Sequence, residues 1–309
     1  MRHLVQSRPA EPAIALENTD PPQRSADTAV VRVEAFSLNR ADVLYMQMPE
    51  ARWRVGIDCA GTVVAQAADG GPAEGTRVVV HLPEGGAGAE QIAVPWQRLA
   101  AVPEAVDSAT AAALPLAGLV ALRLVRAAGD LRGRRVLVTG ATGGVGHLLV
   151  QLARARGADV HAMVRDNEPK SHLVNAGARI HRTDAVPDAR FDVIFESVGG
   201  DTAGRAVSAL APGGHVIWFG QASGDPITLD FFSFLASGQG FSLTHFVYSD
   251  HEADGHDDLT ELVELAAAGT LVPHIGSIED WAHTEAALDR ISRGVQPGKA
   301  VLTISAGQR

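Results

Sequence analysis

The residues of this chain with the clearest chemical meaning are glycines that follow one apolar run. Gly140, Gly143, Gly144 and Gly146 lie in the stretch TGATGGVG, directly after the apolar residues 136–138. Glycine lets the backbone turn tightly and approach a phosphate, which is then held at the N-terminus of the following helix. The pattern predicts a dinucleotide-binding turn. Its predicted cofactor contacts are Gly140, Thr142, Gly143, Gly144, Val145 and Gly146.

The segments around this turn alternate between strand-like and helix-like patterns. Strand patterns occur at RRVLVTG, DVHAMVR, FDVIFES, HVIWFG and FSLTHFVY. Helix patterns follow the first three of them, at GGVGHLLVQLARARG, NEPKSHLVNAG and GDTAGRAVSALAPGG. Such alternation is typical of an α/β fold with a doubly wound parallel sheet, whose helices cover both faces. We therefore predict a dinucleotide-binding domain over residues 116–248.

Residues 1–115 have a different pattern. Short β-rich runs are separated there by glycine and proline, as in TAVVRVEAFSLN, CAGTVVAQA and GTRVVVHL. This favours a β-rich domain before the dinucleotide-binding domain. After residue 248 the chain has one further helix pattern, DDLTELVELAAAG, and a strand pattern, GKAVLTI.

The composition narrows the possible functions. The chain has 309 residues, 46% of them apolar and 20% charged, and a formal net charge of −10. An acidic chain argues against nucleic acid as a partner, and the single cysteine, Cys59, excludes an internal disulfide. The N-terminal segment lacks the apolar core of a signal peptide, and no run of about 18 apolar residues occurs. We therefore expect a cytoplasmic protein with no membrane partner.

Three protein families use a glycine turn of this kind. TGATGGVG fits the pattern TGxxxGxG of the short-chain dehydrogenases, but that family carries it near the N-terminus and depends on a Tyr-x-x-x-Lys pair. Here the motif begins at Thr139, and neither Tyr45 nor Tyr248 is followed by lysine at that spacing. Methyltransferases that bind S-adenosylmethionine do not usually carry a β-rich domain before the turn. The third family is the medium-chain dehydrogenase/reductases.

The chain resembles the zinc-free quinone oxidoreductase branch of that third family over nearly its whole length. The resembling segments are SLNRAD, GIDCAGTVV, GGAGAEQIAV, ALPLAGLVAL, VLVTGATGGVG, FESVGG, LAPGGHVIWFG and GKAVLTI. The resemblance implies a β-rich, chaperonin-10-like (GroES-like) domain at 1–115 that is completed by 249–309, and a Rossmann domain at 116–248. It also implies a homodimer.

The resemblance implies that the protein binds no metal. Zinc-dependent relatives have a cysteine where this chain has Asn39, and a His-Glu pair where it has Ile57 and Asp58. Isoleucine cannot ligate zinc, and asparagine is a poor substitute for a thiolate. The loop DHEADGHDD carries His251 and His256, but on a helix these two rings would point about 140° apart. We therefore expect a solvated loop that opens a helix there, rather than a metal site.

Without a metal, the implied chemistry is hydride transfer to a quinone or an α,β-unsaturated carbonyl. Negative charge then develops on the carbonyl oxygen, which needs a hydrogen-bond donor and afterwards a proton. The resemblance places Asn39 beside the nicotinamide, where its amide can donate to this oxygen. Tyr45 is the candidate proton donor, with a core position as the alternative. We expect Asp42 to hold the loop and Trp53 to form an aromatic wall.

The cofactor preference depends on the residue that ends the second strand of the dinucleotide-binding domain. NAD enzymes carry a carboxylate there for the ribose hydroxyls, and NADP enzymes carry a cation or a small residue. In the family this position lies nineteen residues after the last glycine of the turn, which is Arg165 in this sequence. A guanidinium suits a 2′-phosphate. We therefore predict NADPH as the cofactor. The carboxylate of the neighbouring Asp166 is the feature that argues against this preference.

The resemblance implies further cofactor contacts. Lys170 matches a second phosphate contact shifted by one residue, and His181 matches a ring that packs on adenine, with an ordinary loop histidine as the alternative. Val120 departs from the family, where threonine is common. The remaining predicted contacts lie after strands at the carboxyl edge of the sheet. They are Val198, Gly199, Phe219, Gly220, Gln221, His245, Phe246 and Val247. For the last three, the alternative to a cofactor contact is a structural role in the sheet core and at a dimer edge.

Two other functions stay open at this point. One is enoyl reduction of an acyl thioester, as in the related reductase domains of polyketide synthases. The other is a non-catalytic NADPH-binding protein. The sequence does not name the substrate, because pocket shape depends on packing that the chain order does not reveal.

Overall fold

The computed structural model describes residues 1–7, 13–48, 53–238, 240–248 and 255–305. The chain divides into two compact units. The first comprises residues 1–119 and 253–309, and the second comprises residues 120–252. The sequence-based domain limits, at 115/116 and 248/249, remain predictions beside these structural units.

The described part of the first unit is mainly β-sheet, with short or medium helices. Its strands are β1 (Arg2–Gln6), β2 (Ile14–Asn18), β3 (Thr28–Leu38), β4 (Asp58–Ala65), β5 (Arg77–His81), β6 (Gln91–Pro95), β7 (Leu99–Ala101), β14 (Ile275–Asp280) and β15 (Lys299–Thr303). Its helices are α1 (Arg40–Met46), α2 (Ser108–Ala112), α8 (Gly255–Ala267) and α9 (Thr284–Ser292). Among the described residues these strands form a seven-stranded sheet in the order β14-β15-β3-β4-β5-β7, with β6 also on β3, and a separate β1-β2 pair.

The second unit alternates strands and helices. The boundary with the first unit falls inside α3 (Pro115–Ala127). Its strands are β8 (Arg135–Val138), β9 (Asp159–Val164), β10 (Arg179–Arg182), β11 (Phe191–Glu196), β12 (Leu210–Trp218) and β13 (Ser242–His245). Its other helices are α4 (Gly146–Ala155), α5 (Ser171–Asn175), α6 (Gly200–Ser208) and α7 (Phe231–Ser237).

The strands of the second unit form one parallel sheet in the order β10-β9-β8-β11-β12-β13. The strand order reverses between β8 and β11, and ligands bind at such reversal points in doubly wound sheets. The predicted α/β fold class is confirmed. One predicted boundary is wrong: the helix predicted over GDTAGRAVSALAPGG ends at Ser208, and the rest of that segment opens β12. Leu210 pairs with Phe191 of β11, so tertiary pairing overrides the local helix pattern.

Each unit has its own apolar core. In the first unit Phe36, Leu38, Met46 and Leu99 are buried in one cluster. In the second, Phe191 and Ile194 from β11 are buried with residues of β8, β9 and β12. Within the described part of the chain, no helix is long and apolar enough to cross a membrane.

Candidate functional site

The register of three strands in the first unit brings distant residues to one point. Strand β3 ends at Leu38, so Asn39 follows it directly. Strands β4 and β15 flank this end on opposite sides, with Asp58 paired to Ser37 and Ala300 paired to Leu38. Because β4 begins at Asp58 and β15 begins at Lys299, both side chains lie beside Asn39. Sheet register therefore assembles a polar cluster from residues far apart in the chain.

The side-chain amide of Asn39 is held by two oppositely charged groups. Its Nδ2 donates to Asp58 Oδ2 at 2.8 Å, and its Oδ1 accepts from Lys299 Nζ at 2.5 Å. A lysine ammonium only donates and an ionised carboxylate only accepts, so this pair determines which end of the amide is nitrogen. The amide nitrogen carries two N–H groups, and Asp58 accepts one of them.

Asp58 is fully buried and has several partners. Its Oδ1 accepts from Leu116 N at 2.9 Å and lies 3.3 Å from His81 Nδ1, while Ser37 Oγ lies 3.3 Å from Oδ2. Burial alone would raise the pKa of Asp58, but the His81 contact and the charge of Lys299 outweigh it and lower that pKa. Asp58 is therefore a buried anion with its charge compensated.

Asp42 holds the chain around Asn39. Its Oδ2 accepts from Asn39 N at 2.9 Å, and its Oδ1 accepts from Trp53 Nε1 at 3.0 Å and from Gly56 N at 2.9 Å. Burial raises the pKa of Asp42 to about 6, against the opposing effect of these hydrogen bonds. Asp42 thus ties the start of α1 to the chain that leads into β4.

Tyr45 lies on α1 next to this cluster. Its ring centroid lies 4.5 Å from that of Trp53, with the planes inclined at 38°. The side chain of Tyr45 is 38% exposed, so it does not pack into the core. The phenol and the indole form a joined aromatic surface, and Trp53 connects it to Asp42.

The glycine turn of the second unit has a backbone shape that requires glycine at two positions. Gly140 has a φ of +59°, a region that L-amino acids rarely adopt. Gly146 begins α4, and a Cβ there would lie 2.7 Å from Ala141 Cα. Glycine at these two positions therefore lets the turn fold tightly against the start of α4, and a turn of this shape at a helix N-terminus fits a dinucleotide phosphate. The other predicted contacts, Thr142, Gly143, Gly144 and Val145, lie within this turn.

Arg165 directly follows β9, as predicted, and is paired with a carboxylate. Arg165 Nε donates to Glu168 Oε1 at 2.9 Å, and its backbone N donates to Glu168 Oε2 at the same distance. The neighbouring Asp166 pairs instead with Arg182, at 2.5 Å. Glu168 is therefore a carboxylate partner of Arg165, and the influence of Asp166 on cofactor preference stays a prediction. Lys170 precedes α5 and is exposed.

Family models match both parts of the chain. Residues 25–104 match an alcohol dehydrogenase GroES-like domain, and residues 157–302 match a zinc-binding dehydrogenase model. A quinone oxidoreductase from Pseudomonas syringae pv. Tomato DC3000 has a similar structure, with a TM-score of 0.83 and 26% identity, and the match covers 98% of this chain and 99% of that chain. This chain belongs to the medium-chain dehydrogenase/reductase superfamily. It is a quinone oxidoreductase-like member, which confirms the predicted family and the GroES-like and Rossmann architecture.

Further relatives extend the comparison. The quinone oxidoreductase of Escherichia coli complexed with NADPH has the same fold, with a TM-score of 0.86 and 21% identity over 98% of this chain and 100% of that one. The mouse synaptic vesicle membrane protein VAT-1 homolog is 27% identical over 96% of this chain and 79% of its own length. A highly reducing polyketide synthase, pkhB of Emericella nidulans, is 27% identical over 82% of this chain, which spans 11% of that protein. This medium-chain dehydrogenase/reductase is thus an NAD(P)-dependent oxidoreductase.

Zinc does not fit the residues that this medium-chain dehydrogenase/reductase has at the cluster. Both ends of the Asn39 amide are bonded to Asp58 and Lys299, and Ile57 is a buried hydrocarbon. A catalytic zinc needs about three protein ligands. Among the described residues, no group of three or more His, Cys, Asp or Glu side chains is arranged to hold a metal.

The predicted loop histidines give no second metal site to describe. His251 lies outside the described residues. His256 lies on α8, where its Nδ1 is 2.7 Å from the carbonyl oxygen of Leu99.

Glu196 is a functional candidate that sequence reasoning missed. It ends β11 and is fully buried. Its Oε1 accepts from Val198 N at 2.8 Å, from Gly199 N at 3.1 Å and from Thr139 Oγ1 at 3.1 Å. Burial raises the pKa of Glu196, against these hydrogen bonds. The carboxylate ties the glycine turn after β8 to the loop after β11, so the backbone N–H groups of Val198 and Gly199 already have an acceptor within the protein.

The other predicted cofactor residues lie after the carboxyl ends of neighbouring parallel strands. Phe219, Gly220 and Gln221 follow β12, while His245 ends β13 and precedes Phe246 and Val247. These ends share one edge of the sheet with the glycine turn. His181 lies on β10 with its Nε2 2.6 Å from His161 Nδ1, and Val120 is buried on α3. Their contacts with a cofactor stay predictions.

One signal in the sequence could have indicated the missed carboxylates. Asp58 and Glu196 are carboxylates that begin or end strands with otherwise apolar buried positions. A charged residue in such a strand needs a partner, because burying an unpaired charge is costly. The partner itself, Lys299 in the case of Asp58, is not visible from local sequence.

Proposed function

We propose that this chain is an NADPH-dependent reductase that transfers a hydride to a quinone or an α,β-unsaturated carbonyl without a metal. The observation that carries the proposal is the Asn39 amide, fixed between Lys299 and Asp58 with one N–H used inside the protein. The second N–H then serves a substrate carbonyl oxygen. A donor held in advance stabilises the charge that develops on this oxygen and needs no reorganisation.

Each residue near Asn39 has a defined role in the proposed reaction. Bound NADPH supplies the hydride. Asn39 donates to the carbonyl oxygen, and the Tyr45 hydroxyl protonates the enolate carbon of an enone. The joined rings of Tyr45 and Trp53 provide an apolar face for a flat substrate. The choice of NADPH is supported by Arg165, which directly follows β9 and whose exposed guanidinium suits a 2′-phosphate. Lys170 is close to it in sequence.

Activity should be independent of metal. We expect steady-state NADPH oxidation with a panel of quinones and enones to survive dialysis against a chelator. Zinc content should be far below one per chain, because the cluster lacks three ligands for it. Bound stoichiometric zinc, with activity lost on its removal and restored on its return, would contradict the proposal.

An acyl thioester is the second candidate substrate. The match to polyketide synthases favours it, since those proteins share sequence over most of this chain. Crotonyl-CoA and longer enoyl-CoAs therefore belong in the same panel, and a preference for them over all quinones and simple enones would establish this alternative. Tight NADPH binding with no turnover of any substrate would instead favour a non-catalytic NADPH-binding protein.

We also propose a homodimer formed through the second unit. Strand β13 lies at the edge of its sheet, and all four of its residues are exposed. Unpaired edge strands offer hydrogen bonds to a further strand. Apolar side chains of β13 and of the preceding helix α7 are exposed too, namely Leu243, Phe231 and Phe232. Light scattering after gel filtration should give a molar mass of twice the 32.3 kDa of one chain. Leu243→Asp should lower this molar mass to that of the monomer. A monomeric wild-type protein at micromolar concentration would refute the dimer.

A further inference from the structure

The buried cation beside Asn39 is a lysine, a residue type that this chain rarely uses. Of its 26 basic residues only two are lysines, Lys170 and Lys299. Lys299 is 2% exposed, and its Nζ lies 3.6 Å from Asp58 Oδ2. Taking an ammonium and a carboxylate out of water costs free energy that their attraction does not always recover, so apolar residues are often as stable in such places. Stability alone therefore does not explain why Lys299 and Asp58 are buried together.

The contacts of Lys299 supply that reason. Its Nζ donates to Asn39 Oδ1 at 2.5 Å, which is shorter than its distance to Asp58. The nearest acceptor of the ammonium is thus the uncharged amide rather than the carboxylate. Burial lowers the pKa of Lys299, while the carboxylates of Asp58 and Asp42 oppose this effect.

We propose that Lys299 is a positioning residue for the reaction, which holds and polarises the Asn39 amide so that its second N–H is aimed at the substrate oxygen. A cation at the amide oxygen draws electron density from nitrogen and strengthens the N–H donor, as in chains of hydrogen bonds that polarise one another. Asp58 completes the clamp by accepting the first N–H. This inference rests on the proposed role of Asn39.

Lysine suits this role better than arginine. Its ammonium is a compact point charge, whereas a guanidinium is a planar fork with five donors. The space at the start of β15 is shared by Asn39 and Asp58, which offer two acceptor atoms within reach of Nζ. A fork placed there would leave buried N–H groups without acceptors.

A double-mutant cycle tests the proposal. Lys299→Met keeps the length of the side chain and removes the ammonium. We expect it to lower kcat by about tenfold, less than the loss of the oxyanion donor itself, with the Kd of NADPH unchanged. In the Asn39→Ala background the same substitution should change kcat by less than about twofold, because the two residues act as a unit. If the losses in kcat caused by Lys299→Met and by Asn39→Ala multiplied fully in the double variant, the positioning role of Lys299 would be refuted.

The controls separate positioning from folding. Arg290→Met is the matched variant, since Arg290 is a half-buried cation on α9 paired with Glu279 in the same unit. It should leave kcat unchanged. Because Lys299→Met strands the Asp58 carboxylate, Lys299→Met/Asp58→Asn is made as well; it should fold and still show the kcat loss. Wild-type kcat in this folded double variant would contradict the proposal.

A measurement without turnover separates this inference from the proposed function. The side-chain amide of Asn39 is followed by NMR in the wild type and in both methionine variants. Its order parameter should fall in Lys299→Met and not in Arg290→Met. An unchanged order parameter would refute the positioning by Lys299 even in an active enzyme. A fall in an enzyme that reduces none of the substrates would refute the proposed function alone.

Discussion

Replacing Asn39 with alanine should lower kcat by roughly tenfold to a thousandfold, while the Kd of NADPH changes little. One donor to a developing oxyanion contributes about this much in other enzymes. The hydrogen bond strengthens as charge builds on the carbonyl oxygen, so its loss appears in the chemical step more than in binding. Single-turnover NADPH oxidation with a quinone and with an enone measures it directly.

Two variants accompany this experiment. Asn18→Ala is the matched control, because Asn18 is an exposed asparagine at the end of β2. It should behave as the wild type. Tyr45→Phe keeps the ring that lies against Trp53 and removes the hydroxyl. It should slow enones, whose enolate must be protonated, more than quinones, whose hydroquinone anion takes a proton from water.

One result with Asn39→Ala would contradict the proposed role of Asn39. If Asn39→Ala turns over every active substrate at the wild-type rate, Asn39 has no part in the mechanism. Orientation of the nicotinamide would then be the remaining catalytic contribution, and the cluster of Asp58 and Lys299 would be structural.

Arg165 should give the wild type a preference for NADPH over NADH of about tenfold to a hundredfold in Kd. A charge-assisted hydrogen bond contributes about 1.5–3 kcal/mol, and about 1.4 kcal/mol is a factor of ten in affinity. Arg165→Asp should erase or invert the preference, because a carboxylate at this position suits ribose hydroxyls and repels a phosphate. Fluorescence titration with both nucleotides measures all four constants.

The pairing of Arg165 with Glu168 sharpens this experiment. The phosphate must compete with a carboxylate that already accepts from Arg165 Nε and from its backbone N. Glu168→Gln should therefore tighten NADPH and leave NADH nearly unchanged. The side chain of Arg165 is 56% exposed, so salt should weaken the preference. Equal affinities of the unmutated protein for NADPH and NADH would refute the assignment of Arg165.

Local patterns were enough to predict much of the fold. The alternation of apolar strands and amphipathic helices after residue 115 predicts the parallel sheet. This works because the hydrophobic repeat of a strand or a helix is visible in residues that are close together in the sequence. The glycines around Gly140 predict the turn for the same reason, since a φ of +59° is a local requirement. The end of α6 could not be placed this way, because Leu210 joins β12 through its pairing with Phe191.

The polar cluster around Asn39 could be identified only from the tertiary structure. Resemblance indicated Asn39, but nothing in the chain near it indicates Lys299, which is 260 residues away. Only the register of β3 with β4 and β15 places Asp58 and Lys299 at the end of the same strand. The same holds for Glu196 and Thr139, which meet because β8 and β11 are neighbours in the sheet.

The sequence by itself determined the class of protein and the kind of cofactor turn, because strand and helix periods, glycine geometry and family segments are readable along the chain. The tertiary structure decided which groups surround Asn39 and which carboxylate pairs with Arg165. The physical reason is that charge compensation in a buried site acts across strands and loops. Residues separated by long stretches of chain then lie within about 3 Å of one another, a hydrogen-bond distance.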